Sequence, residues 1–234
     1  MKLSLVLLTR NELPGLRALH GRIPFSAVDE VCVVDGGSTD GTLEFLAEHG
    51  LRKASMRSPG RGEAFRIAFA ETSGDALIFF SPDGNEDPAD IAKFRPLLEG
   101  GCDMVIASRM MAGAHNEEDG DLLPLRKWAN NAFNLMANGT WNRGAFISDS
   151  INGYRAISRR AWDLLALDGN GYTIEYQSSI RAMKLGLKVA EFPTHEGERI
   201  GPGGSPALAL GIQFLKLYAL EISVGSKFGG ASPQ

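Results

Sequence analysis

The sequence predicts an α/β fold, a mostly parallel sheet flanked by helices, and three observations carry that prediction. Apolar runs of strand length recur at residues 3–8, 28–34, 76–80 and 104–107. Each closes in a polar loop. A helix-patterned segment then follows, and this alternation specifies parallel strands joined by right-handed crossovers.

The first run, 3–8, is continuously apolar, as a strand covered on both faces must be. Thr9-Arg10-Asn11-Glu12 closes it, and residues 13–20 are patterned as a short helix. Residues 28–34 form the second strand and run into Asp35-Gly36-Gly37-Ser38-Thr39-Asp40-Gly41. Ser38, Thr39 or Asp40 can cap the helix expected over 41–49, which carries Leu43, Phe45 and Leu46 on one face. A short segment at 54–56 leads through Pro59-Gly60-Arg61-Gly62 into an alanine-rich amphipathic helix over 63–71. The run 76–80 is expected to be the central strand, and Ser81-Pro82 stops it because proline cannot continue a central ladder. Residues 89–98 are patterned as a helix, and 104–107 as a further strand ending in Ser108-Arg109.

The second half is less regular. Residues 112–121 are acidic and glycine-rich and read as a mobile surface loop with solvated charges. Helices are expected over 124–137, near 159–165 and over 172–185, with a strand over 188–192. Residues 207–224 are long and apolar, but Gln213, Lys216 and Glu221 interrupt them. Each charge at mid-membrane costs about 2.5 to 3.5 kcal/mol, which argues against a spanning helix. Gln213, Lys216, Ser223 and Lys227 share one helical stripe, so the apolar remainder must dock on the domain, on another subunit of a homo-oligomer, or on a membrane face. The expected organisation is one domain over 1–205 and an apolar helix with its tail over 206–234.

Composition narrows the function classes. Twenty-four basic against 28 acidic residues lack the basic footprint of a nucleic-acid binder. Cys32 and Cys102 each lie in an apolar run, so buried thiols in a reducing cytosol explain them better than a disulfide or a metal pair. The apolar start of the chain is too short for a signal peptide, and Arg10-Asn11-Glu12 stands where a cleavage site belongs.

The stretch that organises the rest is 74–88, where Asp83, Glu86 and Asp87 surround Gly84 and Asn85 just after the central strand breaks. Carboxylates on a loop at the carboxyl end of a buried strand sit where open α/β sheets bind ligands. The same residues also suffice for a plain turn.

The motifs TRNE, VVDGGSTDGT, GRGEAFRIAFAETSGD, SPDGNEDP, ASR and DSINGYR, with the segment 191–205, follow one another in a set order and spacing. In that order the chain resembles the family 2 inverting glycosyltransferases with the GT-A fold, most of all the dolichol-phosphate mannose synthase branch, over residues 3–205. The resemblance implies a nucleotide-diphospho-sugar site in which Thr9, Glu12, Asp35, Gly37 and Arg61 hold base, ribose and diphosphate, with Ser81 and Arg109 beside them. Asp83 matches the last carboxylate of the family's DxD motif, which holds Mg or Mn against the diphosphate. Such a metal stabilises the charge that the leaving nucleoside diphosphate gains. Ser81 stands in place of the first carboxylate, so the metal would rest on Asp83, helped by Asn85 or Asp87. Arg199, with Gly201 and Ser205, resembles the loop that closes over the diphosphate, and a guanidinium suits bidentate phosphate contact. His195 reads either as a ligand contact or as a structural hydrogen-bonder.

DSINGYR corresponds to the family's acceptor side, which makes Asp149 the expected base or acceptor positioner, the alternative being a turn cap. Arg155, with Arg126, Lys127 and Arg143, reads either as a contact for a lipid phosphate or as a solvated charge. A hydroxyl acceptor needs a general base, whereas a phosphate acceptor, with its second pKa near about 6, does not. The implied activity is transfer of a sugar from GDP-mannose or a UDP-sugar to polyprenyl or dolichyl phosphate, in the cytoplasm or peripherally on the cytoplasmic face of a membrane. A glycosyltransferase with a glycan or small hydroxyl acceptor is one alternative. A non-catalytic nucleotide-sugar-binding subunit, suggested by Ser81, is the other.

Overall fold

In the computed structural model, which describes residues 1–201, 207–226 and 228, the first apolar run is strand β1 (Leu3–Thr9), buried along its whole length. Helix α1 (Leu13–Leu19) follows, then β2 (Glu30–Asp35), α2 (Thr42–Glu48), β3 (Lys53–Ser55), α3 (Arg61–Glu71) and β4 (Ala76–Phe80). The chain continues through α4 (Ile91–Glu99), β5 (Met104–Ser108), α5 (Leu125–Trp141), β6 (Arg155–Ser158), α6 (Arg159–Leu165), α7 (Ile174–Leu185), β7 (Val189–Pro193) and α8 (Ala207–Val224). The strands form one sheet in the order β3-β2-β1-β4-β6-β5-β7.

Register sets the position of the site. Thr9 lies opposite Asp35, Leu7 opposite Phe80, and Ser108 opposite Pro193, so the loops leaving β1, β2, β4, β5 and β7 emerge at one edge. Strand β6 is antiparallel to both β4 and β5, with Arg155 opposite Phe79 and Ile106. That reversal brings the residues before β6, rather than those after it, to the same edge. Strand-helix alternation alone does not reveal it, since nothing in the sequence fixes the direction of the short segment that follows 149–155.

Side chains alternate across the sheet, so Phe79 and Phe80 enter different cores. Phe79 packs with Phe65, Ile106 and Tyr176 under α3, α5 and α7; Phe80 packs with Leu16, Phe94 and Tyr154 under α1 and α4. Cys32 and Cys102 are free and buried, as the sequence predicts. Helix α8 adds Phe214 and Leu217 to the first core. Its Glu221 is fully buried between Arg181 (2.9 Å) and Lys184 (2.6 Å) of α7. The opposite face leaves Leu208, Ile212, Leu215 and Ile222 exposed. No helix among the described residues is long and apolar enough to cross a membrane.

One expectation is corrected. The acidic loop at 112–121 is not merely solvated: Asn116 and Glu118 are buried. Glu118 accepts hydrogen bonds from the Arg126 Nε (2.6 Å) and the Lys127 amide (2.9 Å), so the loop neutralises the start of α5. The Lys127 ammonium meets Asp119, so two of the basic residues considered for a lipid phosphate already have carboxylate partners.

Candidate active site

The loops at the carboxyl edge enclose an inner pocket of about 170 Å³, lined by Arg61, Ser81, Asp83, Asn85, Glu86 and Arg109 among others. It opens into a cleft of about 1270 Å³ that reaches Thr9 and Glu12 on one side and Phe133, Leu208 and Leu215 on the other. After the break at Ser81-Pro82 both Asp83 and Glu86 line this pocket. Glu86 accepts a hydrogen bond from the Ser81 amide (2.7 Å). Burial, and then the negative charge of Asp83, push its pKa well above the usual carboxylate range. Asp87, named as a possible metal helper, points elsewhere: it caps the following turn through the Ala89 amide (3.1 Å) and lies 3.7 Å from Arg22.

Arg61 sits in the first turn of α3, two residues earlier than the helix start expected from sequence. Its Nε donates to Glu175 of α7, and its Nη1 lies 3.5 Å from the Ser81 hydroxyl. Burial opposes its charge, but Glu175 and Glu86 outweigh that and raise its pKa. Arg109, at the end of β5, is gripped by Asp149 through Nε (2.8 Å) and Nη2 (3.0 Å) and by Glu196 through Nη1 (3.0 Å). Here too burial opposes the charge, and Asp149 and then Glu196 overcome it. Arg199 lies between Glu12 (2.5 Å) and Asp83. Glu12 is raised by burial, an effect that Arg199 only partly offsets.

The residues assigned from sequence divide into two groups. Thr9, Glu12, Arg61, Ser81, Asp83, Arg109 and Arg199 line the cleft together. Asp35 is at its edge, but its carboxylate oxygens serve its own loop and the end of β1, accepting from Thr9 Oγ1 (2.9 Å), Ser38 Oγ (2.6 Å) and the amides of Gly37 (2.9 Å) and Ser38 (3.0 Å). Gly37 shapes that loop with φ of 87°. Asp149 is fully buried behind Arg109, so its geometry is that of an anchor rather than a base facing an acceptor.

Arg155 is a correction. It is fully buried and donates to the carbonyls of Glu175 (2.8 Å) and Ser150 (3.2 Å), to Asn152 O, and to the hydroxyls of Ser178 (2.7 Å) and Ser179 (3.0 Å). Desolvation lowers its pKa to about 10, and no donor remains for an acceptor phosphate. His195 is a second correction: it is exposed, stacks on His115 at 4.2 Å between ring centroids, and does not line the cleft. Ser205 lies outside the described residues.

Two residues of the site escape the sequence, and a third, Glu86, is only half legible in it. Glu86 is visible as a carboxylate of the central stretch, but nothing local shows that it folds back onto Ser81. Glu175 and Glu196 act through arginines far away in the chain, and no spacing rule pairs them.

Among the described residues no three His, Cys, Asp or Glu side chains are grouped to hold a metal by themselves. The oxygen donors of Asp83, Asn85 and Glu86 nevertheless suit Mg or Mn, which bind through one or two carboxylates and complete their shell with water and phosphate oxygens. The Arg199 guanidinium against Asp83 shows that this carboxylate takes a cation.

Known proteins agree with this arrangement. Residues 4–189 match the model of "Glycosyl transferase family 2". The chain is 31% identical over 200 residues to the glycosyltransferase AglJ of Haloferax volcanii, covering 80% of this chain and 61% of that protein. It is 28% identical over 211 residues to the polyprenol monophosphomannose synthase of Mycolicibacterium smegmatis, covering 82% and 76% of the two chains. It is 26% identical over 209 residues to the undecaprenyl-phosphate mannosyltransferase of Micrococcus luteus, covering 85% of each. Among solved structures, the glucosyl-3-phosphoglycerate synthase of Mycobacterium tuberculosis with Mn2+, UDP and phosphoglyceric acid superposes with a TM-score of 0.68 at 27% identity, over 95% of this chain and 78% of that one. A mostly parallel sheet of this order, a carboxylate loop after its central strand and a family match over most of the chain lead to one assignment: the protein belongs to glycosyl transferase family 2.

Proposed function

We propose that the protein transfers a sugar, with inversion, from a nucleoside-diphosphate sugar to a polyprenyl phosphate. The observation that carries this reading is a single continuous cleft, charged at its inner end by Arg61, Asp83, Arg109 and Arg199 and apolar at its outer end along α5 and α8. An anionic head with a hydrocarbon tail matches both ends, and the polyprenyl acceptors named for two relatives have that chemistry. The state of Asp149 supports the same acceptor. A carboxylate held on two sides by Arg109 is poorly suited to remove a hydroxyl proton, and a phosphate acceptor arrives already largely deprotonated.

On the donor side, Arg61 and Arg199 are placed to face the diphosphate, and Asp83, with Asn85 and Glu86, would hold Mg or Mn beside it. The metal supplies charge stabilisation for the departing nucleoside diphosphate. Mn2+ and Mg2+ accompany UDP in the mycobacterial neighbour, which supports a divalent ion here. The exposed apolar faces of α5 and α8 support peripheral contact with a membrane surface where such an acceptor resides.

The second reading is transfer to a small phosphorylated hydroxy acid, favoured by the phosphoglyceric acid in that neighbour. A donor panel of GDP-mannose, UDP-glucose and related sugars, offered with Mn2+ and either polyprenyl phosphate or 3-phosphoglycerate, separates the two. The label is expected in the organic phase with polyprenyl phosphate. Label in the aqueous product alone means the second reading is right, and no transfer with any donor leaves a binding subunit.

A further inference from the structure

Arg199 enters the cleft from the segment after β7 and meets Asp83 there, and its position is fixed by more than its charge. The Ile200 amide donates to the Asp83 carbonyl (2.6 Å), the Gly197 amide to the Asn85 carbonyl (2.9 Å), and the Asn85 side-chain amide to the Gly197 carbonyl (2.9 Å). Both chains need glycine to come this close. A Cβ on Gly84, whose φ is 99°, would lie 2.7 Å from the Glu198 carbonyl oxygen, and one on Gly197 would lie 2.7 Å from that of Gly84. The guanidinium is thereby delivered between Glu12, which follows β1, and Asp83, which follows β4. Its Nε is buried and has no hydrogen-bond partner among the described residues, so the arrangement satisfies the two carboxylates better than it satisfies the arginine.

We infer that Arg199 is the resident counter-ion of the metal-binding carboxylate: guanidinium and dication compete for Asp83, and Arg199 must leave it before the metal can be held. The inference rests on the metal-dependent donor reading above. Its physical basis is that both Asp83 oxygens are already engaged, Oδ2 by the guanidinium and Oδ1 by the Asn85 amide (3.1 Å), and that a dication placed on the same carboxylate repels the guanidinium. The displaced guanidinium keeps its fork of donors, which fits phosphate oxygens. Arg199 therefore weakens binding of the metal alone and strengthens binding of the metal together with a nucleoside diphosphate. That coupling is reciprocal, so each ligand promotes the other to the same degree. Glu12 has a part in the exchange, since it remains as a carboxylate partner when Asp83 is given up.

The test is titration of the full chain with Mn2+, free Mn2+ being followed by electron paramagnetic resonance, first without nucleotide and then with saturating UDP or GDP. For Arg199→Gln, affinity for Mn2+ alone is expected to rise roughly tenfold, the effect of about 1.4 kcal/mol, while the enhancement by nucleotide shrinks. Arg199→Lys keeps a cation without the bridging fork and is expected between the two proteins. A damaged fold lowers metal affinity, so a gain cannot come from misfolding. If wild type binds Mn2+ and both variants bind it equally or more weakly, the inference is overturned and the donor reading stands. If no protein binds Mn2+ even with nucleotide, the metal part of the donor reading falls, and the inference with it.

Discussion

At residue 81 a hydroxyl replaces the first carboxylate of the family motif, and the neighbouring side chains show how the pocket is balanced without it. Glu86 brings a carboxylate back to the Ser81 amide at 2.7 Å, and Arg61 stands 3.5 Å from the Ser81 hydroxyl. An aspartate at 81 therefore meets Arg61 as well as any metal, and adds a like charge beside Glu86 and Asp83. Ser81→Asp is expected to draw Arg61 from Glu175 and to leave turnover no higher than wild type, since tighter ground-state binding alone does not lower a barrier. Asp83→Asn keeps the size of the side chain but removes its charge. Losing one preorganised electrostatic contact costs roughly 2.7 to 4 kcal/mol, or about a hundred- to a thousandfold in turnover. Transfer rates measured against Mn2+ concentration check both variants. Full activity of Asp83→Asn with unchanged metal dependence would reduce the 81–88 loop to a turn.

Among the elements, α8 is attached by a buried ion network as well as by apolar packing. Glu221 is fully buried and serves Arg181, Lys184 and Gln177 at once, while Lys184 rests 5.1 Å above the Trp141 ring of α5. The carboxylate joins α8 to α7, and Lys184 extends the contact to α5. Glu221→Ala leaves Lys184 buried without a carboxylate and Arg181 with Asp168 alone, and breaking a buried pair from one side costs about 3 to 5 kcal/mol. Lys216→Ala on the exposed face of the same helix is expected to stay within about 0.5 kcal/mol. Urea unfolding of both variants tests this. Equal midpoints would mean that packing of Phe214 and Leu217, not the ion network, holds α8.

At the scale of the whole molecule, the two helices that flank the outer cleft leave apolar side chains in water. Leu125, Trp128 and Leu135 recur along α5, and Leu208, Ile212, Leu215 and Ile222 along α8. A patch continuous with the mouth of a substrate cleft is the kind that marks an interaction surface. In flotation with liposomes containing anionic lipid, the wild-type chain is expected in the upper fractions. Ile212→Glu with Leu215→Glu, both at exposed positions, is expected to shift it to the bottom with the fold intact. If the two proteins float alike, the patch does not hold a membrane. A halved mass on size-exclusion chromatography for the double variant would assign the patch to a second copy of the chain instead.

The sequence by itself determined the class of fold and the carboxyl edge on which the site lies, because both follow from local patterns. An apolar run of strand length, a proline that ends it and a carboxylate loop after it can each be read within a dozen residues. Through motifs in a fixed order it also led to the expectation that Asp83, Arg61, Arg109 and Arg199 share one site, and the four side chains line one cleft. Tertiary structure alone decided what each of those groups faces. The antiparallel turn of β6 brings 149–154 to the carboxyl edge, where Asp149 grips Arg109, while Arg155, first residue of that strand, donates into the core. Glu175, 114 residues after Arg61, becomes its partner, and Arg199, 116 residues after Asp83, becomes its counter-ion. A charge declares its sign in the sequence, but its partner is set by which loops a sheet carries to the same edge.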